Sequence, residues 1–110
     1  MAPQLFTIKK RSTFVHIRNK GVFIRSKNIN VQKLFNKDLD GKIGVGFTAT
    51  KKIGNAVKRN KAKRIMRELA KKILIKCKTN TYYVLIAKTS ILDIKFKDLL
   101  EELENICNVK

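Results

Sequence analysis

Between Lys51 and Lys72 the chain sets ten Lys and Arg residues against a single acid, Glu68. Gly54 interrupts the chain at the start of this segment, and Asn55 is a residue type that caps helix N-termini. From Ala56 onward Ala62, Ile65, Met66, Leu69 and Ile73 recur at three- and four-residue spacing, which predicts an amphipathic helix running to about Ile75. At about 100° per residue, Asn60, Lys63, Arg64, Arg67 and Lys71 fall on the arc opposite the apolar stripe. The chemistry such a segment can do is phosphate recognition. Free N–H groups at the helix N-terminus suit an anion, and Arg and Lys heads along the polar arc suit a nucleic-acid backbone. A charge run on a helix is usually a solvated face, but here almost no acid is interspersed to relieve the repulsion between neighbouring cations.

No other constellation supports autonomous catalysis. A nucleophile with its base, a carboxylate pair or a metal shell would be required. The one histidine, His16, lies in a basic stretch without a partner. Asp38 and Asp40 sit beside Gly41, where short polar side chains ordinarily bond the backbone of a turn. Cys77 and Cys107 stand alone with one histidine in the chain, so zinc-ligand spacing is absent, and both are expected to be reduced thiols. Five of the eight acids crowd into residues 93–104. No catalytic residue is expected in the protein itself.

The elements that must position the basic helix follow from composition and periodicity. In 110 residues there are 26 Lys and Arg against 8 Asp and Glu, a formal net charge of +18, with 44% hydrophobic residues. That composition suits one small folded domain, residues 1–110, with a polyanionic partner supplying the counter-charge. Nucleic acid is the first candidate and an anionic membrane surface a weaker second. The longest apolar run, Tyr82–Ala87, is far too short to span a bilayer. The opening Met-Ala-Pro-Gln lacks the basic and apolar regions of a secretion signal, so a cytoplasmic location is expected.

Ile8, Phe14, Val15 and Ile17 suggest a helix from about Thr7 to Lys20, closed by a C-cap glycine, Gly21. A basic loop carrying Arg25 and Lys27 follows. Residues Asn28–Phe35 alternate as a strand, and Asn36–Gly41 carries turn chemistry. In Lys42–Thr50, Ile43, Val45, Phe47 and Ala49 point one way while Gly44, Gly46, Thr48 and Thr50 point the other. The second face is either simply solvated or left small for close approach by a ligand. Tyr82–Ala87 reads as a buried central strand, and Asp93–Val109 as a final amphipathic helix. The order α-β-β-α-β-α predicts an α+β sandwich with one small sheet, and the unit from residue 42 to 88 is long enough for a parallel crossover.

The run KKIGNAVKRNKAKRIMRE, residues 51–68, resembles the Arg-Asn-Arg signature of the bacterial ribonuclease P protein subunit, densely over residues 44–70. Looser matches at Thr13-Phe14, Lys20-Gly21, Gly46-Phe47-Thr48 and Leu85–Lys88 extend the resemblance over essentially the whole chain. It implies a fold with a left-handed strand-helix-strand crossover, against the usual hand. It also implies an accessory role. A catalytic RNA would use magnesium, bound mainly by the RNA, to remove the 5′ leader of precursor tRNA, with no other protein required.

By the same resemblance, Lys51, Lys52, Asn55, Lys58, Arg59, Asn60, Lys61, Lys63, Arg64 and Arg67 would contact the catalytic RNA, with Asn60 near a phosphate-bridged metal. Phe14, Arg18, Gln32, Thr48, Thr50, Ile86 and Lys88 would line a cleft for the single-stranded leader, an apolar platform ringed by cations. Two positions depart from the family pattern. Lys61 stands where Arg is usual and lacks its planar fork, and Arg18 stands where an aromatic ring is common. The competing reading is a general basic RNA-binding or ribosome-associated protein, which would not prefer leader-bearing tRNA. An autonomous metal-dependent nuclease would need clustered acids in a cleft.

Overall fold

The segments whose alternation predicts strands lie side by side in the computed structural model, which describes residues 4–108. The elements run β1 (Leu5–Thr7), α1 (Arg11–Lys20), β2 (Val22–Ile24), β3 (Ile29–Phe35), β4 (Ile43–Thr48), α2 (Ala56–Lys72), β5 (Thr81–Ala87) and α3 (Phe96–Cys107). They form one sheet in the order β1-β4-β5-β3-β2. β4 pairs in parallel with both β1 and β5, whereas β3 runs antiparallel to β5 and β2 antiparallel to β3. The expected mixed α+β sandwich is therefore present, with β5 at its centre and α2 as the crossover between two parallel neighbours.

Because side chains alternate across a strand, the pairing register sorts the core into two layers. Ile29, Val31, Ile43, Val45, Tyr83, Leu85 and Ala87 pack with Ala62, Met66, Leu69 and Ala70 of α2 and with Leu99 and Leu103 of α3. On the other face Val84 packs with Ile8 and Ile17, flanked by Phe14, Leu34, Tyr82 and Ile86. α1 alone covers this second face, and it covers only part of it. The rest stays open.

Several boundaries differ from those the periodicity suggests. Leu5–Thr7 is an edge strand, and the first helix begins at Arg11 rather than near Thr7. The basic loop is preceded by the short strand β2. The long helix ends at Lys72, and Leu74–Lys76 continues as a tighter 3-10 turn. The last helix starts at Phe96, after a 3-10 turn at Thr89–Leu92, and the expected end at Val109 lies outside the described residues. Gly21 does cap α1, its N–H donating to the Ile17 carbonyl at 2.7 Å, but its backbone is extended. A β-carbon there would meet the Ile17 and Lys33 carbonyl oxygens at 2.6 Å, so close packing accounts for the glycine. In the 36–41 turn it is Asn36, not either aspartate, that bonds the backbone, accepting from the Asp38 N–H at 2.9 Å.

The connection between β2 and β3 is tied to α3 by one carboxylate. Glu102 accepts from the Ser26 hydroxyl at 2.6 Å, the Asn28 N–H at 2.8 Å and the Asn28 side-chain amide at 2.8 Å. Burial pushes this carboxyl's pKa up, but the donors from Ser26 and Asn28 outweigh it and hold the group below its ordinary value of 4.5. A depressed folded-state pKa adds stability above the unfolded value and loses it as the pH falls through the folded one. Glu102→Gln should therefore cost about 1 kcal/mol at neutral pH, an amount discounted for partial exposure. The gap to wild type should close as the pH drops below about 4.5. Urea unfolding across a pH series measures this, and a gap that does not vary with pH would assign the loss to packing instead.

Candidate nucleic-acid interface

The basic segment is held in place by its own first turn. Past β4, Lys51–Ile53 form a 3-10 turn whose Ile53 is buried in the core and whose Lys51 and Lys52 are exposed. Gly54 follows at φ +135°, a backbone conformation that favours glycine. Asn55 then caps α2, its Oδ1 accepting from the Lys58 N–H at 3.0 Å. The Arg59 guanidinium turns back and donates to the Gly54 carbonyl at 2.7 Å. Asn55 and Arg59, both expected to touch RNA, thus have structural work at the helix entrance. No acid occupies the first turn of α2, where a carboxylate would otherwise complement the helix dipole.

Beyond that turn Asn60, Lys61, Arg64 and Arg67 are exposed along one side of α2, with Lys63 half-buried at the flank. Glu68, the helix's one acid, lies 3.6 Å from Lys71, the only ion pair among the described residues. The guanidinium and ammonium groups nearer the N-terminus are left without a carboxylate partner there.

The second group of expected site residues gathers on the sheet face that carries α1. Thr48 on β4 stands opposite Ile86 on β5, which stands opposite Asn30 on β3. One row further toward α1, Gln32 lies opposite Val84 and Val84 opposite Gly46. Phe14 sits over Gly46, and a β-carbon added there would fall 2.5 Å from the Phe14 ring. The alternating face of β4 is therefore not uniformly solvated. Gly44 and Gly46 are buried against Phe6, Tyr82 and Phe14, while Thr48 and Thr50 remain accessible. Arg18, one helical turn on from Phe14, is exposed. The Lys88 ammonium donates to the Ser26 carbonyl at 3.0 Å, fixing that cation beside the β2–β3 connection.

The two groups adjoin at one groove of about 690 Å³, where Thr50, Ile86 and Lys88 of the second meet Lys51 and Lys52 of the first beside Asn30, whereas Phe14, Arg18, Gln32, Thr48 and the cations of α2 itself lie outside its lining. The C-terminal ends of β4 and β5 and the entrance to α2 open on the same side, as parallel strands joined by a helix require. A separate cavity of about 350 Å³ lies on the α3 face, lined by Lys33, Phe35, Tyr83 and Cys107 among others. The two cysteines, which nothing in the sequence pairs, are free and adjoin there. The contact with Cys107, together with burial, pushes the Cys77 thiol far up, while the same contact draws Cys107 down despite its burial.

A family model for ribonuclease P matches residues 2–109. The chain belongs to the ribonuclease P protein family. It is 40% identical over 68 residues to the ribonuclease P protein component of Gluconacetobacter diazotrophicus, covering 62% of this chain and 58% of that protein. To the component from Syntrophus aciditrophicus it is 38% identical over 96 residues, covering 87% and 79%. The Staphylococcus aureus RNase P protein superposes with a TM-score of 0.81 at 29% identity, covering 94% of this chain and 93% of that one. A ribonuclease P protein is the accessory subunit of a ribonucleoprotein endoribonuclease.

The family implies magnesium, and the residues here do not fit a protein-held ion. Among the described residues no group of three or more His, Cys, Asp and Glu is gathered that could ligate a metal. Asn60 offers one neutral amide oxygen between Arg59 and Lys61, a setting that repels a bare divalent cation.

Asn30 was not among the expected cleft residues, although its alternation with Gln32 on β3 already put both on one face. Gly46 is the pivot of the geometry, because it lets α1 approach the sheet. Gly46→Val should displace Phe14 and cost about 1–3 kcal/mol in chemical unfolding, with part of the loss recovered by Phe14→Leu. An unchanged unfolding midpoint would show that α1 can shift freely.

Proposed function

We propose that the protein, acting as one domain in the cytoplasm, binds the catalytic RNA of ribonuclease P and the single-stranded 5′ leader of precursor tRNA. It thereby assists the magnesium-dependent removal of that leader to give the mature tRNA 5′ end. The observation that carries this reading is the shared groove, in which Thr50, Ile86 and Lys88 at the strand ends adjoin Lys51 and Lys52 of the turn that leads into the basic helix. Exposed cations on that surface neutralise phosphates and release their counterions, a gain that does not depend on sequence.

In this reading Lys51, Lys52, Lys58, Asn60, Lys61, Lys63, Arg64 and Arg67 meet the catalytic RNA, and Asn55 and Arg59 hold the turn that presents them. Phe14, Gln32, Thr48 and Ile86 form the platform for leader bases, with Arg18, Thr50 and Lys88 toward its backbone. Little base-edge discrimination is expected from such a surface, which suits an enzyme that must accept many leaders. Magnesium is held by RNA phosphates, and Asn60 approaches such an ion only through a phosphate.

Arg64→Ala together with Arg67→Ala should weaken binding to the catalytic RNA and flatten the plot of log affinity against log salt. The slope should fall by about 1.4–1.8 if each arginine neutralises one phosphate. An unchanged affinity and slope would remove this face of α2 from the interface. The reading as a whole is tested by cleaving a 5′-extended precursor tRNA with bacterial ribonuclease P RNA at low magnesium. Stimulation is expected only when RNA and protein are both present. Cleavage by the protein alone would reveal an active site of its own, and no stimulation would favour general RNA binding.

A further inference from the structure

The open face of the sheet extends past the cleft residues to β2, and an aromatic ring stands at that edge. Phe23 lies opposite Gln32, whereas its neighbour Ile24 lies opposite Val31 and packs into the α2 and α3 layer. Alternation therefore puts Phe23 on the α1 face, where it is 46% exposed. The Arg25 guanidinium sits 5.9 Å from the centroid of the Phe23 ring. With strands about 4.8 Å apart, β4, β5, β3 and β2 carry Thr48, Ile86, Gln32 and Phe23 across the face in order.

The other rings on this face each pack against protein on one side. Phe6 and Tyr82 meet edge to face with centroids 6.3 Å apart, and Phe14 is seated on Gly46. Phe23, at the edge of the sheet, is an exposed ring beyond the Phe14 platform. The charge around it is one-sided: α1 and all five strands contain no Asp or Glu, so an anionic backbone meets no carboxylate on these elements. A stacking ring with a guanidinium beside it is the unit from which single-strand sites are built.

We propose that Phe23 and Arg25 form an outer stacking site for one unpaired base of the leader, one strand beyond the position of Gln32. Phe23 takes the base on its face, and Arg25 neutralises the adjacent phosphate. This rests on the leader-cleft reading above and extends the track to the edge strand of the sheet. A similar pair supplies an internal control. Lys78 lies 5.0 Å from the centroid of Phe35, which is 55% exposed but lines the cavity on the opposite, α3 face.

The test uses holoenzyme assembled from bacterial ribonuclease P RNA and this protein, with precursor tRNAs whose leaders lengthen one nucleotide at a time. For wild type, affinity should rise with leader length and then level off. Phe23→Ala should lose about 5- to 20-fold, the low end for base stacking, only once the leader is long enough to reach β2. Phe23→Trp should keep the affinity, and Phe35→Ala should match wild type throughout. An abasic nucleotide at a single leader position should abolish the difference between Phe23→Ala and wild type, which a general folding defect would not do. Loss at every length, leaderless tRNA included, or no loss at any length, would overturn the outer site. Wild-type affinity that ignores leader length would instead overturn the cleft reading itself.

Discussion

The parallel pairing of β4 with β5 is the constraint on which the rest of the structure depends. Two parallel neighbours cannot be joined by a tight turn, so the chain must cross over, and α2 is that crossover. The crossover starts where β4 ends, which is also the end at which β5 ends. The cations of the α2 entrance are thereby brought beside Thr50, Ile86 and Lys88 at the strand ends. A basic helix joined to the sheet by a long free linker would have no fixed relation to the open sheet face. Here the relation follows from strand direction.

Charge is sorted by the same architecture. Acids occupy the 36–41 turn, one position on α2 and residues 93–104, while α1 and the strands carry none. α3 buries Leu99 and Leu103 and turns one carboxylate, Glu102, toward the β2–β3 connection. The acid of greatest structural effect is thus spent on neutral hydrogen-bond donors and leaves the cations unpaired. An uncompensated positive surface of this kind destabilises an isolated protein by self-repulsion and is offset when a polyanion binds.

The two faces of the sheet have different fates for a geometric reason. Two helices cover one face and bury a continuous apolar layer, whereas α1, ten residues long, covers the other only as far as Phe14 and Ile17 reach. Gly44 and Gly46 make that partial covering possible, because rings can lie on the backbone where no β-carbon intervenes. What remains beyond Phe14 is a strip of small, polar and half-buried side chains from several strands. A strip of this kind suits the extended, flexible ligand proposed for it.

Much of this was determined by sequence alone, because long periodic segments report the face they bury. The α2 helix, its Asn55 cap and its basic arc, the strands around Val31, Val45 and Leu85, and the amphipathic α3 are all readable from local spacing, as is the family signature at residues 51–68. β1 and β2 were not readable, since three residues contain too little alternation to distinguish a strand from a loop, and they exist because neighbouring strands supply their partners. Only the tertiary structure decided that Gly44 and Gly46 are covered by rings while Thr48 stays open, that Arg59 serves the helix entrance, and that Cys77 meets Cys107. Each of these depends on contacts between residues far apart in the chain, which spacing along one segment does not encode.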